Sequence, residues 1–451
     1  MKVCKFGGSS VANAEQISKI IDIVQSDSER RIVVVSAPGK RTPDDLKVTD
    51  LLIECGERAL VGQNYEEILS KVVERYAEIQ RDLGLSLGIT AEIKKDLNFR
   101  LAGKKEHKGK FMDCIKAAGE DNSAKIVAQA FQMRGIDAVY VDPHEAGMFL
   151  SDDFGNAQLL DESTQHLNRV LSGRDDIVIF PGFFGYTKDG SVATFSRGGS
   201  DITGSILAVA VGADSYENFT DVDAVFPVDP RLVPDVKQGI SAMTYREMRE
   251  LSYAGFGVFH DEAVVPAVKA GIPINVRNTN HPDEPGTLIM QSRRVEPGKV
   301  VVGIASADGF CTLFVDKYMM NREIGFGRRL LQILEDEGVS YEHMPSGIDN
   351  VSVIISADGL DEACEKQVLK RINAEMNPDN VLLERNHAMV MIVGEGMQYA
   401  VGFAGKATSA LARAGVNIEM INQGSSEISI VFGVKSDQRI KAVQALYHAF
   451  F

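Results

Sequence analysis

Lys2-Val3-Cys4-Lys5-Phe6-Gly7-Gly8-Ser9-Ser10-Val11 stands at the start of the chain. Its first residues read as a short strand, and Ile17, Ile20, Ile21 and Val24 follow at helical spacing. Between strand and helix lies a glycine pair that lets the backbone approach a ligand closely. A helix start behind it offers unpaired N–H groups and the positive end of a dipole, and Lys5 adds a mobile cation. Together these make a phosphate cradle without any Walker sequence. Taken alone, the stretch serves equally well as a plain strand-to-helix turn with Ser9 or Ser10 as N-cap. The nearest approach to a Walker motif, Gly405-Lys406-Ala407, lacks the hydroxyl residue after lysine and is set aside.

The same alternation continues outward. Ile32-Val33-Val34-Val35 and Ile177-Val178-Ile179-Phe180 read as strands buried on both faces, with weaker candidates at Ala138–Val141 and Ile274–Val276. Ile126, Val127, Ala130 and Phe131 mark a helix between them. Strand-helix alternation predicts an α/β fold with a largely parallel sheet sandwiched by helices, and such sheets bind ligands at the carboxyl ends of their strands. The 451 residues suggest about three domains. A net charge of −15 argues against nucleic acid as the main partner, so an anionic ligand must be held by a few local cations and amides. No apolar run reaches membrane-spanning length, and the N-terminus has no signal-peptide pattern. Five widely spaced cysteines without a CxxC pair fit reduced thiols, so a cytoplasmic protein is expected.

Three prolines and two glycines between Asn280 and Lys299 mark a boundary, giving a catalytic domain over 1–295 and a second region over 300–451. That second region repeats itself at an offset of 77 residues. Gly325-Phe326 falls on Gly402-Phe403, Leu334 on Leu411, Gly338-Val339 on Gly415-Val416 and Glu342 on Glu419, without a gap. The repeat units are placed at about 305–380 and 385–451. Two small α/β modules side by side suggest a sensing unit with paired sites.

Two further segments carry chemistry. Phe195-Ser196-Arg197-Gly198-Gly199-Ser200-Asp201 is another glycine pair entering a helix, and Arg197 can grip a carboxylate with both guanidinium arms. Ser200 and Asp201 can equally serve only as caps of that helix. Thr220-Asp221-Val222-Asp223-Ala224-Val225-Phe226-Pro227-Val228-Asp229-Pro230-Arg231 reads alone as a series of turns.

In combination and in this order, the three segments resemble the aspartate kinases of the amino-acid kinase superfamily. The 77-residue repeat resembles the tandem ACT domains of that family, so the likeness covers the whole chain. What the resemblance implies can be placed residue by residue. Lys5, Gly7, Gly8 and Ser9 would form the phosphate and transition-state loop, with Asp201 beside it. Thr49, Glu120, Phe183, Arg197 and Ser200 would hold L-aspartate, Glu120 receiving its ammonium and Arg197 its α-carboxylate. An exposed helix-start glutamate is the alternative reading of Glu120. Thr220, Asp221, Phe226 and Arg231, with Lys5 and Gly8, would surround ATP. In the first repeat Met320, Gly325, Phe326, Gly327, Glu342 and Ser346 would hold an amino-acid effector, with lysine favoured over threonine.

One departure stands out. Relatives carry an A-K-V-L-H-P stretch whose lysine reaches the nucleotide, whereas this chain reads Phe256-Gly257-Val258-Phe259-His260-Asp261, with glycine at the lysine position. The implied reaction is attack by the aspartate β-carboxylate, already ionised at neutral pH, on the γ-phosphate of MgATP. No catalytic base, protein metal site or tightly bound cofactor is expected, because magnesium arrives on the phosphates. A homodimer or dimer of dimers formed through the ACT domains is also implied. The end at Phe451, directly after the second repeat, speaks against a fused dehydrogenase. A glutamate 5-kinase and a nucleotide-binding sensor without turnover are the competing readings.

Overall fold

The computed structural model describes residues 1–196, 199–255 with Gly198, 261–295 and 299–451, the side chains of 261 and 262 excepted. The chain divides into two compact units. One comprises residues 1–225, 239–245 and 258–293; the other comprises 226–238, 246–257 and 294–451.

Among the described residues the first unit is built on an eight-stranded sheet. Its strands are β1 (Lys2–Phe6), β2 (Arg30–Val35), β3 (Ala138–Tyr140), β4 (Ile177–Pro181), β7 (Ser215–Thr220), β8 (Ala242–Thr244), β9 (Ile274–Asn278) and β10 (Thr287–Met290), with the hairpin β5 (Phe184–Tyr186) and β6 (Val192–Thr194) apart from it. The order is β3-β4-β2-β1-β7-β9-β10-β8. All pairs are parallel except β9 with β10. β1 therefore lies between β2 and β7, and its apolar residues are fully buried, as a central parallel strand requires.

Helices α1 (Ala14–Gln25), α2 (Val48–Leu60), α3 (Glu66–Leu83), α4 (Gly88–Leu101), α5 (Lys108–Met133), α6 (Ser163–Leu171) and α7 (Gly199–Val211) accompany this sheet, as does α9 (Val265–Ala270), whereas α8 (Tyr245–Tyr253) belongs from Arg246 onward to the second unit. Cys4, Phe6, Val33 and Val35 share one core with Ile17, Ile20 and Ile21 of α1 and Val127 and Phe131 of α5. Side chains alternate along a strand, so Lys5, between Cys4 and Phe6, points to the other face. There α7 packs against β1, β2 and β7.

The second unit has a five-stranded antiparallel sheet, β12-β11-β13-β15-β14, from β11 (Gly303–Asp316), β12 (Asn350–Ser356), β13 (Asn380–Val393), β14 (Met420–Asn422) and β15 (Ser429–Lys435). Helices α10 (Phe326–Asp336), α11 (Glu362–Met376), α12 (Phe403–Arg413) and α13 (Arg439–Phe450) complete it. The repeat is visible in three dimensions. Gly325 and Gly402 enter α10 and α12 at φ 79° and 85°, and Gly338 and Gly415 follow them at φ 70° and 62°. These are left-handed positions that glycine takes at least cost. The repeats differ at one edge: where the second has β14, the first makes only isolated bridges at His343 and Ser346.

The long strands are shared. The start of β11 (Ile304) packs in one core with Val390, Ile392, α12 and α13, whereas its end (Cys311, Leu313, Val315) packs with α10 and α11. No helix among the described residues is long and apolar enough to cross a membrane.

Candidate active site

The parallel strands of the first unit end along one edge, and backbone hydrogen bonds tie those ends together. Ser36 N–H donates to Phe6 O, Gly182 N–H to Val35 O and Gly7 N–H to Phe219 O. At this edge opens a cleft of about 370 Å³ lined by Lys5, Ser36, Lys116, Glu120, Gly155, Phe183, Phe195, Ser196, Gly198, Gly199, Ser200 and Asp201.

Lys5 reaches the cleft from β1. Its ammonium lies 2.6 Å from Oδ1 of Asp201, in the first turn of α7. The same oxygen accepts a hydrogen bond from Asn218 Nδ2 at 2.6 Å, so a strand residue on each side fixes the carboxylate. Ser200 is buried beside it. α7 begins at Gly199, entered through Gly198 at φ 75° with no side-chain cap. Ser200 and Asp201 are therefore first-turn residues, and capping does not account for them.

The Gly7-Gly8 stretch has a different local structure from the expected cradle. Gly8–Val11 forms a single 3₁₀ turn, and α1 starts only at Ala14, capped by the Asn13 side chain accepting from Gln16 N–H at 3.0 Å. Neither Ser9 nor Ser10 is that cap. Ser10 instead pairs with Thr279 at 2.7 Å. Gly7 lies beside the lysine, since a Cβ there would meet Lys5 Nζ at 3.7 Å. Gly8 closes against the segment after β2, where Gly39 N–H donates to Gly8 O at 2.8 Å. Gly7, Gly8 and Ser9 are not among the residues lining the cleft, and Thr49, half-buried in the first turn of α2, is not either.

Glu120 is a mid-helix residue of α5 and is fully enclosed, so the reading as an exposed helix-start glutamate does not hold. Gly119 makes this possible: a Cβ there would sit 2.7 Å from Ala37 Cβ, so glycine allows α5 to close on the segment after β2. Tyr76 of α3 donates to Gly119 O at 2.8 Å and holds the helix in place. Burial pushes the Glu120 carboxyl up to about 8, only partly offset by the backbone amide of Ala37. Its Oε2 is buried without a hydrogen-bond partner. An enclosed carboxylate with a vacant oxygen is a receptor for a cationic group.

Phe183 follows β4 in the left-handed region at φ 76°, a conformation that costs a non-glycine residue about 1–3 kcal/mol. Its N–H donates to Thr203 Oγ1 and its carbonyl accepts from Phe195 N–H, both at 3.0 Å, which holds the strained residue at the cleft. Arg197 lies outside the described residues, as does the Phe256–His260 stretch with Gly257. Thr220 ends β7 and its hydroxyl donates to the exposed Asp221 at 3.2 Å. Sequence reasoning missed Ser36 and Lys116, which no motif singles out, and gave no role to Phe195 and Ser196 at the head of the Arg197 segment.

In the second unit Phe226 is half-buried, and Arg231 pairs with Asp229 at 2.7 Å. Arg231 and Arg439 line a cavity of about 310 Å³ there. Met320 and Phe326 are buried in the core of the first repeat, Gly325 and Gly327 form the start of α10, and Ser346 is exposed. Glu342 accepts a hydrogen bond from the phenol of Tyr253. Its counterpart Glu419 has another partner, His387 at 2.8 Å. Glu384, His387 and Glu419 bring their ligand atoms within 4.8 Å of one another, but the Lys435 ammonium already lies 2.7 Å from His387 Nε2.

Known proteins share the sequence and the fold of this chain. The amino acid kinase family pattern matches residues 1–278 and an ACT domain pattern matches 390–450. Aspartokinase 3 of Bacillus subtilis is 54% identical over 451 residues, covering all of this chain and 99% of that protein. The crystal structure of Clostridium acetobutylicum aspartate kinase superposes with a TM-score of 0.89 at 38% identity, covering 100% of both chains. E. coli aspartokinase III, at 25% identity, superposes at 0.79 in its R-state with aspartate and ADP, covering 100% of both chains. Its T-state with lysine and aspartate superposes at 0.73 and covers 100% of this chain and 99% of that one. A glutamate 5-kinase and a sensor without turnover are thereby set aside, and the chain belongs to the aspartate kinases of the amino acid kinase family, with an ACT-containing second region.

Proposed function

We propose that the chain transfers the γ-phosphoryl group of MgATP to the β-carboxylate of L-aspartate, giving 4-phospho-L-aspartate and ADP. This is the first step toward lysine, threonine and methionine. The observation that carries the reading is Glu120: an enclosed carboxylate with a vacant oxygen shares one cleft with the Lys5–Asp201 pair. An amino acid bound by its ammonium at Glu120 turns its far carboxylate toward Lys5.

Aspartate is its own nucleophile, so positioning and charge neutralisation carry the catalysis. Lys5 meets the phosphoryl oxygens, and Asp201 fixes the direction of its ammonium. Gly7, Gly8 and Ser9 shape the loop around Lys5. Ser200 and Phe183 bound the substrate from α7 and β4, Thr49 from α2, and Arg197 takes the α-carboxylate. Thr220, Asp221, Phe226 and Arg231 hold the nucleotide. Magnesium arrives with ATP and supplies further charge neutralisation when bound.

The domains assigned to these tasks are a kinase domain over 1–295 and a regulatory region over 300–451. We place the enzyme in the cytoplasm as a homodimer or dimer of dimers joined through its ACT domains. Feedback inhibition by L-lysine is supported by the lysine complex of E. coli aspartokinase III. The effector would bind at Met320, Gly325, Phe326, Gly327, Glu342 and Ser346. The test of the reaction is ATP-dependent aspartyl hydroxamate formation in the presence of hydroxylamine. Absence of hydroxamate from active-site-intact protein refutes the proposal.

A further inference from the structure

Lys116 is a cation that neither the motifs nor the assignment above uses. It lies on α5 and lines the same cleft as Glu120. The two are four residues apart, one helical turn, so they are neighbours on one face of α5. The lysine is built into place. Its ammonium pairs with Asp113 Oδ1 at 2.7 Å, its side chain is 20% exposed, and Thr194 Oγ1 stands 3.5 Å away.

Asp113 is nearly fully buried, and its other oxygen accepts hydrogen bonds from the N–H groups of Gly155 and Thr194, both at 2.8 Å. The carboxylate thus joins α5 to the 151–158 loop and to β6. Two backbone donors satisfy Oδ2 and Lys116 holds Oδ1, so the ion pair fixes the lysine head at the wall of the cleft. The ammonium has three N–H donors; Asp113 takes one and Thr194 Oγ1 a second, long one, which leaves a donor at the cleft for a further anion.

We propose that Lys116 binds the α-carboxylate of the substrate, so that one face of α5 reads both halves of the amino-acid head group. This rests on the aspartate-kinase reaction proposed above. In an α-amino acid the ammonium and the α-carboxylate leave the same carbon. A carboxylate receptor for one and a cation one turn away for the other fit that spacing. Arg197, which lies outside the described residues, would then share the α-carboxylate rather than hold it alone. Lys116 acts in binding and recognition, and Lys5 remains the group at the phosphoryl transfer.

The test compares L-aspartate with 3-aminopropanoate, which keeps the ammonium and the reacting carboxylate and lacks the α-carboxylate. Wild type, Lys116→Met and Lys116→Arg are assayed by hydroxamate formation, with 3-aminopropanoate also titrated as a competitive inhibitor. Loss of a charged hydrogen bond should raise the aspartate KM about 10–100-fold in Lys116→Met. The inhibition constant of 3-aminopropanoate should stay within about threefold, since that bond never forms. Lys116→Arg should recover most of the aspartate KM. An unchanged aspartate KM in Lys116→Met, or equal losses for both compounds, overturns the proposal. Equal losses would mark Lys116 as only a support for the Asp113 junction. If Lys116→Met does not fold, Lys116→Gln takes its place and is read by the same two outcomes. Wild-type enzyme that forms no aspartyl hydroxamate removes the underlying reaction and this inference with it.

Discussion

The ammonium of Lys5 and the carboxylate of Asp201 meet at 2.6 Å across the junction of a central strand and a helix start. The strand supplies rigidity and the helix start supplies a positive end, so the pair presents an ammonium of fixed direction to an incoming phosphoryl group. Lys5→Ala should fold normally and lose about 10²–10³-fold in kcat, as removal of one electrostatic stabiliser does. Circular dichroism and steady-state turnover check both halves of this. Near-normal turnover would move the transition-state contact away from Lys5.

Glu120 makes the substrate KM depend on pH. Its folded-state value of about 8 means that the substrate-free enzyme holds the carboxyl neutral at pH 7, whereas an ammonium needs it ionised. The aspartate KM should fall about tenfold per pH unit between 6 and 7.5 and level off above 8. Glu120→Gln should raise KM and flatten that slope. A wild-type KM that is flat between pH 6 and 8 contradicts the assignment.

The same group sets a stability trend. A carboxyl raised on folding stabilises the protein fully below its ordinary value of 4.5, and that contribution is lost as pH rises toward 8. Without substrate, Glu120→Gln should therefore be more stable than wild type at pH 8, by about 3–5 kcal/mol. Thermal melts at pH 5 and pH 8 should show the difference growing with pH.

Gly182 tests the fit between β4 and α7. A Cβ there would lie 2.7 Å from the Ser200 Cβ and 2.9 Å from its backbone Cα, and backbone cannot yield cheaply. Gly182→Ala should cost about 1–3 kcal/mol and raise the aspartate KM, because Ser200 and Asp201 shift together. Unchanged stability and KM would show that the two elements have slack.

Tyr253 and Glu342 bear on regulation. The phenol occupies a carboxylate that an effector ammonium would need. Tyr253→Phe should lower the lysine concentration for half-inhibition about two- to tenfold, and Glu342→Ala and Ser346→Ala should raise it. Inhibition that is identical in all three variants would place the effector elsewhere.

The sheet of the first unit was legible in the sequence because buried parallel strands are written as runs such as Ile32–Val35. Lys5 was legible because a glycine pair interrupts the pattern right after it. Glu120 came from the family likeness alone, since nothing in its neighbourhood distinguishes a buried helical glutamate from an exposed one. Lys116 was not legible: its meaning depends on Asp113 reaching the 151–158 loop and β6, contacts between residues about 40 and 80 apart. The start of α1 was misjudged because three polar residues near the glycines can all cap a helix, and only the chain path selects Asn13. In the repeat region the 77-residue period was plain, but strand pairing leaves no period, so the sharing of β11 and β13 could not be read.

That sharing makes β11 a member of both repeats. Its fourteen residues run from one repeat core to the other, with a bulged stretch between Ala307 and Thr312 where Gly309 takes φ 84°. Its far end leads through Lys317 to Met320 and the glycine turn of the first repeat. At its near end Ile304 N–H donates to Pro227 O, at 2.7 Å, next to the segment that carries Arg231. Neither repeat can be excised as a cassette, because the cut would take a strand out of its neighbour.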